Sequence, residues 1–273
     1  METAEPTYGR VDRDYALRLA ATSPEDDGPI WMVNLMHYRD VADYGDGIAG
    51  TVSGREADDR YAPIEVLEDI GAEPVFIADV DTQLLGDAPQ WDRVGIVKYP
   101  TRRSFIEMQS RPDFQAKHVH KQAGMATTIV AGCQPIPDPS AGEDPSSFPD
   151  WSDVPHPPTD DDGPVTLLHL IRFHPGGADS DMVEYQKHAG DVAVPHGVRI
   201  SAWFGVEGTI VGDGREWHQA RFNAFPSKAA FMAVALDPDR LRAQQEHRET
   251  AIADTYTMIL RPTIDRLAQS LER

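Results

Sequence analysis

The chain has 273 residues and a formal net charge of −20, with 45 acidic against 25 basic side chains, 40% hydrophobic residues and a single cysteine, Cys133. That length predicts roughly one to two domains of about 100–200 residues, and the charge argues against nucleic acid and anionic membrane surfaces, which need Lys/Arg neutralisation. One cysteine excludes an intramolecular disulfide and fits a reducing, cytoplasmic compartment, while no apolar run approaches the roughly 18 residues of a membrane span.

Residues 1–27 read as an arm with one short helix near Asp12–Ala21; its polar, acidic start, METAEPTYGRVDRDY, is not a secretory signal. Residues 28–135 form a first repeat. Its opening strand, Ile30–Tyr38, is followed by an insertion at 39–59 rich in glycine and acids, expected as a mobile loop over one mouth of a cavity. Residues 136–163, rich in Pro, Asp and Ser, cannot propagate a helix or central strand and form a linker, which Trp151 can pin to a domain face. Residues 164–273 form a second repeat with a C-terminal helix, where Ile264, Leu267 and Leu271 fall at helical spacing.

The repeat is visible in single residues. Trp91, Pro100 and Pro112 recur as Trp217, Pro226 and Pro238, at a shift of 126 positions that also carries Gly71 onto Gly197 and Phe105 onto Phe231. With one extra residue near the end, His120 falls on His247 and Pro135 on Pro262. A repeat of this length is a duplicated domain rather than a solenoid unit. Each copy reads as strand, helix, strand, strand, helix, strand: Ile30–Tyr38 echoed by Val165–Phe173, helices ending at Gly71 and Gly197, hairpins through Gly86-Asp87 and Gly212-Asp213, and second helices opened by Thr101 and Ser227 as N-caps. This is the ferredoxin-like βαββαβ order, whose sheet has helices on one face and an open face that must be buried. The expected fold is therefore α+β, with the two repeats facing each other across a barrel-like cavity.

The segments MVNLMHYRD, WDRVGIVKYPTRRSFIEMQSRPDFQ, LLHLIRFHPGG and WHQARFNAFPSKAAFMAVALDPDR resemble the dimeric α+β barrel superfamily, most closely a branch of short bacterial domains of unknown function that open with an N-L-L/M-x-F/Y-R strand. The resemblance covers both repeats, not the arm or linker. The superfamily includes cofactor-free monooxygenases, lactone isomerases, polyketide cyclases and haem enzymes, so it implies small-molecule chemistry without fixing the reaction. The second copy departs from the opening Asn, carrying His169 where the first has Asn34.

Alternation along the strands gives the candidate site. Val94, Ile96, Ala220, Phe222 and Ala224 are expected to meet the helices, and the opposite face to line the inter-sheet cavity. That assigns His169 as general base or acid, Arg221 as the group holding a carboxylate, enolate or phenolate, and Asn223 as an oxyanion donor. Asn34, Arg93, Trp203, Gln219 and Tyr256 complete the binding surface. Plainer readings stand beside these: His169 as a satisfied buried histidine, Arg221 as the partner of an acidic neighbour, and Asn34 as a backbone-bonding residue at a strand edge; a one-residue register error would invert the face. No metal site is expected: His118 and His120 do not share a helical face, and no P-loop, dinucleotide or nucleophile-elbow motif is present. The functions this supports are, first, proton-transfer chemistry (isomerisation, cyclisation or oxygenation) on an aromatic or polyketide-like carbonyl compound without a bound organic cofactor. A non-catalytic, stress-associated ligand-binding protein and a haem or metal protein are the alternatives. The partner is a small molecule, and a homodimer is left open.

Overall fold

The computed structural model describes residues 6–45, 52–138, 148–178 and 181–272. The 39–59 insertion and the 136–163 linker therefore lie partly outside the described residues, as do the first five residues and the last.

After a short β1 (Arg10–Val11) and α1 (Arg13–Ala21), the first repeat runs β2 (Ile30–Tyr38), α2 (Gly54–Tyr61), α3 (Ile64–Asp69), β3 (Glu73–Leu85), β4 (Arg93–Tyr99), α4 (Arg102–Gln109), α5 (Pro112–Gly124) and β5 (Met125–Pro135). The second runs β6 (Val165–Phe173), α6 (Asp181–Ala193), β7 (Arg199–Gly212), β8 (Gln219–Phe225), α7 (Lys228–Ala235), α8 (Pro238–Ala243), a π turn at Gln244–Arg248, α9 (Glu249–Ala251) and β9 (Ile252–Asp265), with α10 (Leu267–Leu271) closing the chain. Local chemistry repeats with the fold. Thr101 and Ser227 accept from the backbone N–H groups of Ser104 and Ala230 as N-caps, and Pro112 and Pro238 open the following helices. Gly71 and Gly197 have φ of 71° and 80°, the left-handed conformation that turns the chain from helix into strand.

The strand order is β5-β2-β4-β3 in one repeat and β9-β6-β8-β7 in the other, the same fourth-first-third-second arrangement. Antiparallel pairings of β3 with β9 and of β5 with β7 join the two sheets at both edges into a closed eight-stranded barrel. These four joining strands run 11 to 14 residues, against 7 or 9 for the others, because each serves both sheets. The fold is thus two ferredoxin-like repeats forming an intrachain dimeric α+β barrel. Trp151 of the inter-repeat segment donates from Nε1 to the Gly197 carbonyl at 2.7 Å.

The barrel interior is packed rather than hollow. Phe76 and Phe222, one from each repeat, meet edge to face with centroids 5.5 Å apart, and Trp31 and Phe204 pair at 6.0 Å. Tyr256 lies 5.5 Å from both Trp91 and Trp217. Val33, Leu35, Val94, Ile96, Leu168, Leu170, Ala220, Met258 and Leu260 fill the rest. Eight strands enclose a space that side chains just fill.

This corrects the expected face. Val94, Ile96, Ala220 and Phe222 point into the barrel, and Arg93, Gly95, Val97, Gln219, Arg221 and Asn223 alternate to the helix side. The physical reason is hydration. A ring closed by backbone hydrogen bonds offers its interior no partner for a polar side chain, so it takes the strand face that is apolar throughout. The helix-covered face can supply partners from helices and loops, and it holds separate apolar clusters in each repeat, around Met32, Tyr99 and Phe114 in the first and Leu167, Phe225 and Phe231 in the second.

Candidate functional site

One row of residues across each sheet, on the helix-facing side, separates the repeats most sharply. In the first repeat, Gly95 is paired with Asn34 and Ile77, and Asn34 with Val130. The matching row of the second repeat pairs Arg221 with His169 and Trp203, and His169 with Thr257. An Ile-Gly-Asn-Val row has become Trp-Arg-His-Thr. Directly opposed side chains in such a row have Cβ atoms about 4.5–5.5 Å apart, so the four functional groups converge.

Arg221 is 5% exposed. Its guanidinium carbon lies 4.3 Å from the Trp203 ring centroid, and it donates to Gln219 Oε1. With the Gln186 carboxamide oxygen turned toward it from α6, Arg221 also donates from Nη1 at 2.6 Å and Nη2 at 2.8 Å. The Trp203 indole donates to Asn223 Oδ1 at 3.0 Å, leaving the Asn223 amide hydrogens free to donate. Arg248, on the π turn, is 4% exposed, and its Nε and Nη2 have no hydrogen-bond partner. Thr257 Oγ1 is likewise buried and unpartnered.

The electrostatics of this space are one-sided. Burial pushes the Arg221 guanidinium down to about 10; Tyr185 opposes and Arg248 adds to that. Burial also lowers Arg248, against the pull of Tyr185 and with the push of Arg240. His169 is driven well below its ordinary value, first by burial and then by Arg248, Arg221 and Arg240, so its imidazole is neutral. Among the described residues neither Arg221 nor Arg248 forms an ion pair; Glu249, the carboxylate closest in charge effect on Arg248, is exposed. An isolated buried ion costs several kcal/mol. His169, Trp203, Gln219 and Asn223 are half-buried.

Of the residues expected at the site, the structure brings together His169, Arg221, Asn223, Trp203 and Gln219, outside the barrel and beneath the second repeat's helices. It separates the other three. Tyr256 projects from the opposite face of β9 into the barrel, where its hydroxyl donates to Asp87 Oδ1 at 2.9 Å and accepts from Arg215. Asn34 lies in the first repeat and donates to the Met32 carbonyl at 2.8 Å, a bond within its own strand. Arg93, also in the first repeat, is paired with Asp59 at 2.8 Å and with Asp58 at 3.3 Å.

Arg248, Thr257, Tyr185 and Gln186 are site residues that sequence reasoning missed. Arg248 left a trace: the one-residue offset between the copies is the π turn, the extra residue of the helix matching α5. Such turns often mark functional positions. Arg248 and its counterpart in the first repeat, Lys121, are both buried.

A concavity of about 480 Å³ opens in the first repeat and is lined by His37, Arg39, Arg55, Asp79, Trp91 and Asp92 among others. His37 Nδ1 lies 2.9 Å from Asp92 Oδ2, which also accepts from the Tyr38 N–H at 2.8 Å. In the second repeat His218 Nδ1 accepts from the Phe173 N–H at 2.9 Å. This shared contact holds the bulge where the first strand ends, a structural task. Arg55 is held by Asp79 at 2.8 Å.

No group of three or more metal-ligating side chains occurs among the described residues, and no described helix is long and apolar enough to cross a membrane. No family model and no curated protein matches the chain. Among solved structures, it is similar to a protein of unknown function from Rhodopseudomonas palustris at 26% identity, over 48% of this chain and 98% of that one, with a TM-score of 0.42. It is also similar to chlorite dismutase from Candidatus Nitrospira defluvii at 13% identity, over 96% of this chain and 100% of that one, with a TM-score of 0.49.

Proposed function

We propose that the chain is a small-molecule enzyme that carries out proton-transfer chemistry on an enolisable carbonyl compound, without a tightly bound organic cofactor, in the space between the second repeat's sheet and helices. The observation that carries this reading is the pair Arg221 and Arg248, 5% and 4% exposed and without a carboxylate ion pair among the described residues. Two buried guanidinium groups beside a neutral imidazole are costly when empty and favourable when an anion enters. His169 is the general base: it takes a proton from the carbon beside the carbonyl and returns it to the same or a neighbouring carbon. Arg221 and the Asn223 amide hold the oxygen on which charge develops. Burial and the neighbouring arginines, which keep His169 neutral, also make it a weak base. A bound anion offsets the arginines, so its basicity rises with occupancy.

The test follows α-proton exchange by NMR in D2O across a panel of 2-oxo and 3-oxo compounds. The reading expects exchange accelerated by the wild-type chain and lost in His169→Ala and Arg221→Met, with both variants folded. Binding without exchange would replace it with a ligand-binding role, and exchange unaltered in both variants would overturn it.

A further inference from the structure

The two repeats treat a buried cation at the same position in different ways. Lys121 in α5 and Arg248 in the π turn correspond across the repeat, and both are buried, at 9% and 4% exposure. In the first repeat the chain supplies the counter-charge. Asp58 in α2, 8% exposed, accepts from the Tyr38 hydroxyl at 2.7 Å and from Arg93 Nη1 at 3.3 Å, and its charge favours the protonated Lys121 against the effect of burial. The aromatic rings of Tyr61 and Tyr8 complete the surroundings, with Lys121 Nζ 5.2 Å and 5.8 Å from their centroids.

The second repeat has lost that carboxylate and kept the cation. Three residues before Tyr61 stands Asp58; three residues before Tyr185, the tyrosine beside Arg221 and Arg248, stands Met182. Met182 packs in an apolar cluster with Phe173, the counterpart of Tyr38. Where the first repeat has the Tyr38–Asp58 hydrogen bond, the second has two members of one apolar cluster, Phe173 and Met182. At the same time a second cation, Arg221, has been added where the first repeat has Gly95. A chain that removes its own carboxylate while retaining one buried cation and gaining another leaves the negative charge to come from outside.

We infer that the ligand of the second repeat is an oxo acid whose carboxylate supplies to Arg248 the charge that Asp58 supplies in the first repeat, with its carbonyl oxygen at Arg221. This rests on the site proposed above and names its substrate class. Arg248 offers Nε and Nη2, both unpartnered, and this pair of donors suits the two oxygens of a carboxylate. The carbonyl then faces Arg221 and His169, which are directly opposed on β8 and β6. The unpartnered Thr257 hydroxyl lies beside His169 in the same row to meet the acid or the enol. In the reaction a C–H bond next to the carbonyl breaks, its electron pair forms the enolate double bond, and the carbonyl π pair moves onto the oxygen at Arg221. The proton goes to His169 and returns to carbon, with no oxidant or co-reactant. The enolate and carboxylate together carry two negative charges against the two guanidinium groups.

Calorimetric titration of phenylpyruvate and its methyl ester into the full chain tests this, with the variants Arg248→Met, Arg248→Lys and Arg221→Met. One charged hydrogen-bonded contact predicts the acid binding about tenfold or more tightly over the ester. Arg248→Met should abolish that preference and Arg248→Lys keep part of it. If the ester binds as well as the acid and only Arg221→Met weakens both, the carboxylate assignment falls while the site stands. If neither compound binds the wild-type chain, both fall. Should Arg248→Met fail to fold, the acid-to-ester ratio on the wild-type chain decides alone.

Discussion

Arg221 lies over the indole of Trp203, its guanidinium carbon 4.3 Å from the ring centroid, and the same indole donates to Asn223 Oδ1 at 3.0 Å. One aromatic ring thus orients both the cation and the amide of the candidate site. It does so without lending Arg221 a negative charge, which sets this arginine apart from Arg93, Arg102 and Arg215, all held by carboxylates. A buried cation kept in place but not neutralised is a device for recognition at some cost in stability.

That cost should be measurable. Arg221→Met keeps an unbranched apolar stem and removes the charge, and replacing buried charge by apolar volume is often neutral or stabilising by about 1–4 kcal/mol. For a chain of this size the melting temperature should hold or rise by a few degrees, at about 2–4 °C per kcal/mol, while ligand-induced stabilisation disappears. A variant that melts well below the wild type in calorimetry would show that Arg221 is a structural member of the fold.

The opposite outcome is expected for Asp58. Its carboxylate serves Tyr38 and Arg93 and offsets Lys121, so Asp58→Asn leaves the buried Lys121 uncompensated and should cost about 3–5 kcal/mol. Tyr38→Phe, which removes a single hydrogen bond, should cost about 1 kcal/mol. Denaturant melts of the two variants check both the order and the gap.

Phe222 and Phe76 join the repeats through the barrel interior. Phe222→Ala opens a cavity in a closed ring that cannot collapse, so a loss of about 3–5 kcal/mol is expected. Because the two sheets share edges as well as core, unfolding of this variant should remain a single transition for tryptophans of both repeats. Separate transitions would contradict the continuous barrel.

Two histidines predict acid sensitivity. Burial, aided by Lys121, holds His118 down to about 4, and burial, followed by three arginines, holds His169 well below its ordinary value. Both folded values lie below the unfolded one, about 6.5. The unfolded chain therefore binds more protons between these limits, and stability falls as pH drops below about 6.5, by up to about 1.4 kcal/mol per pH unit for each histidine. His118→Gln together with His169→Gln should flatten denaturant midpoints between pH 7 and 5 relative to wild type.

Much of the fold was legible in the chain. The tryptophans and prolines shared by Trp91–Pro112 and Trp217–Pro238, with Gly71 and Gly197 ahead of them, mark turns, helix starts and interior packing, features that survive duplication because backbone geometry demands them. The site was legible as residues but not as a place. His169, Arg221, Asn223, Trp203 and Gln219 were recognisable as polar groups on one strand face, yet alternation alone cannot tell which face meets helices and which meets the other sheet. Val94, Ile96, Ala220 and Phe222 held the answer, since a closed barrel admits only that apolar set. Arg248 was hidden by the single-residue offset of its helix, and Asp58 by its place inside the 39–59 insertion, which reads as loop although its last residues belong to α2.

The central claim is that the second repeat's helix-covered space receives an anion at Arg221 and Arg248. A crystal structure of the chain soaked with phenylpyruvate tests it most directly. The account predicts electron density beneath α6 with the carboxylate on Arg248 and the carbonyl oxygen against Arg221. Density in the His37–Asp92 cleft alone, or both arginines paired with protein carboxylates and no ligand between them, would contradict it.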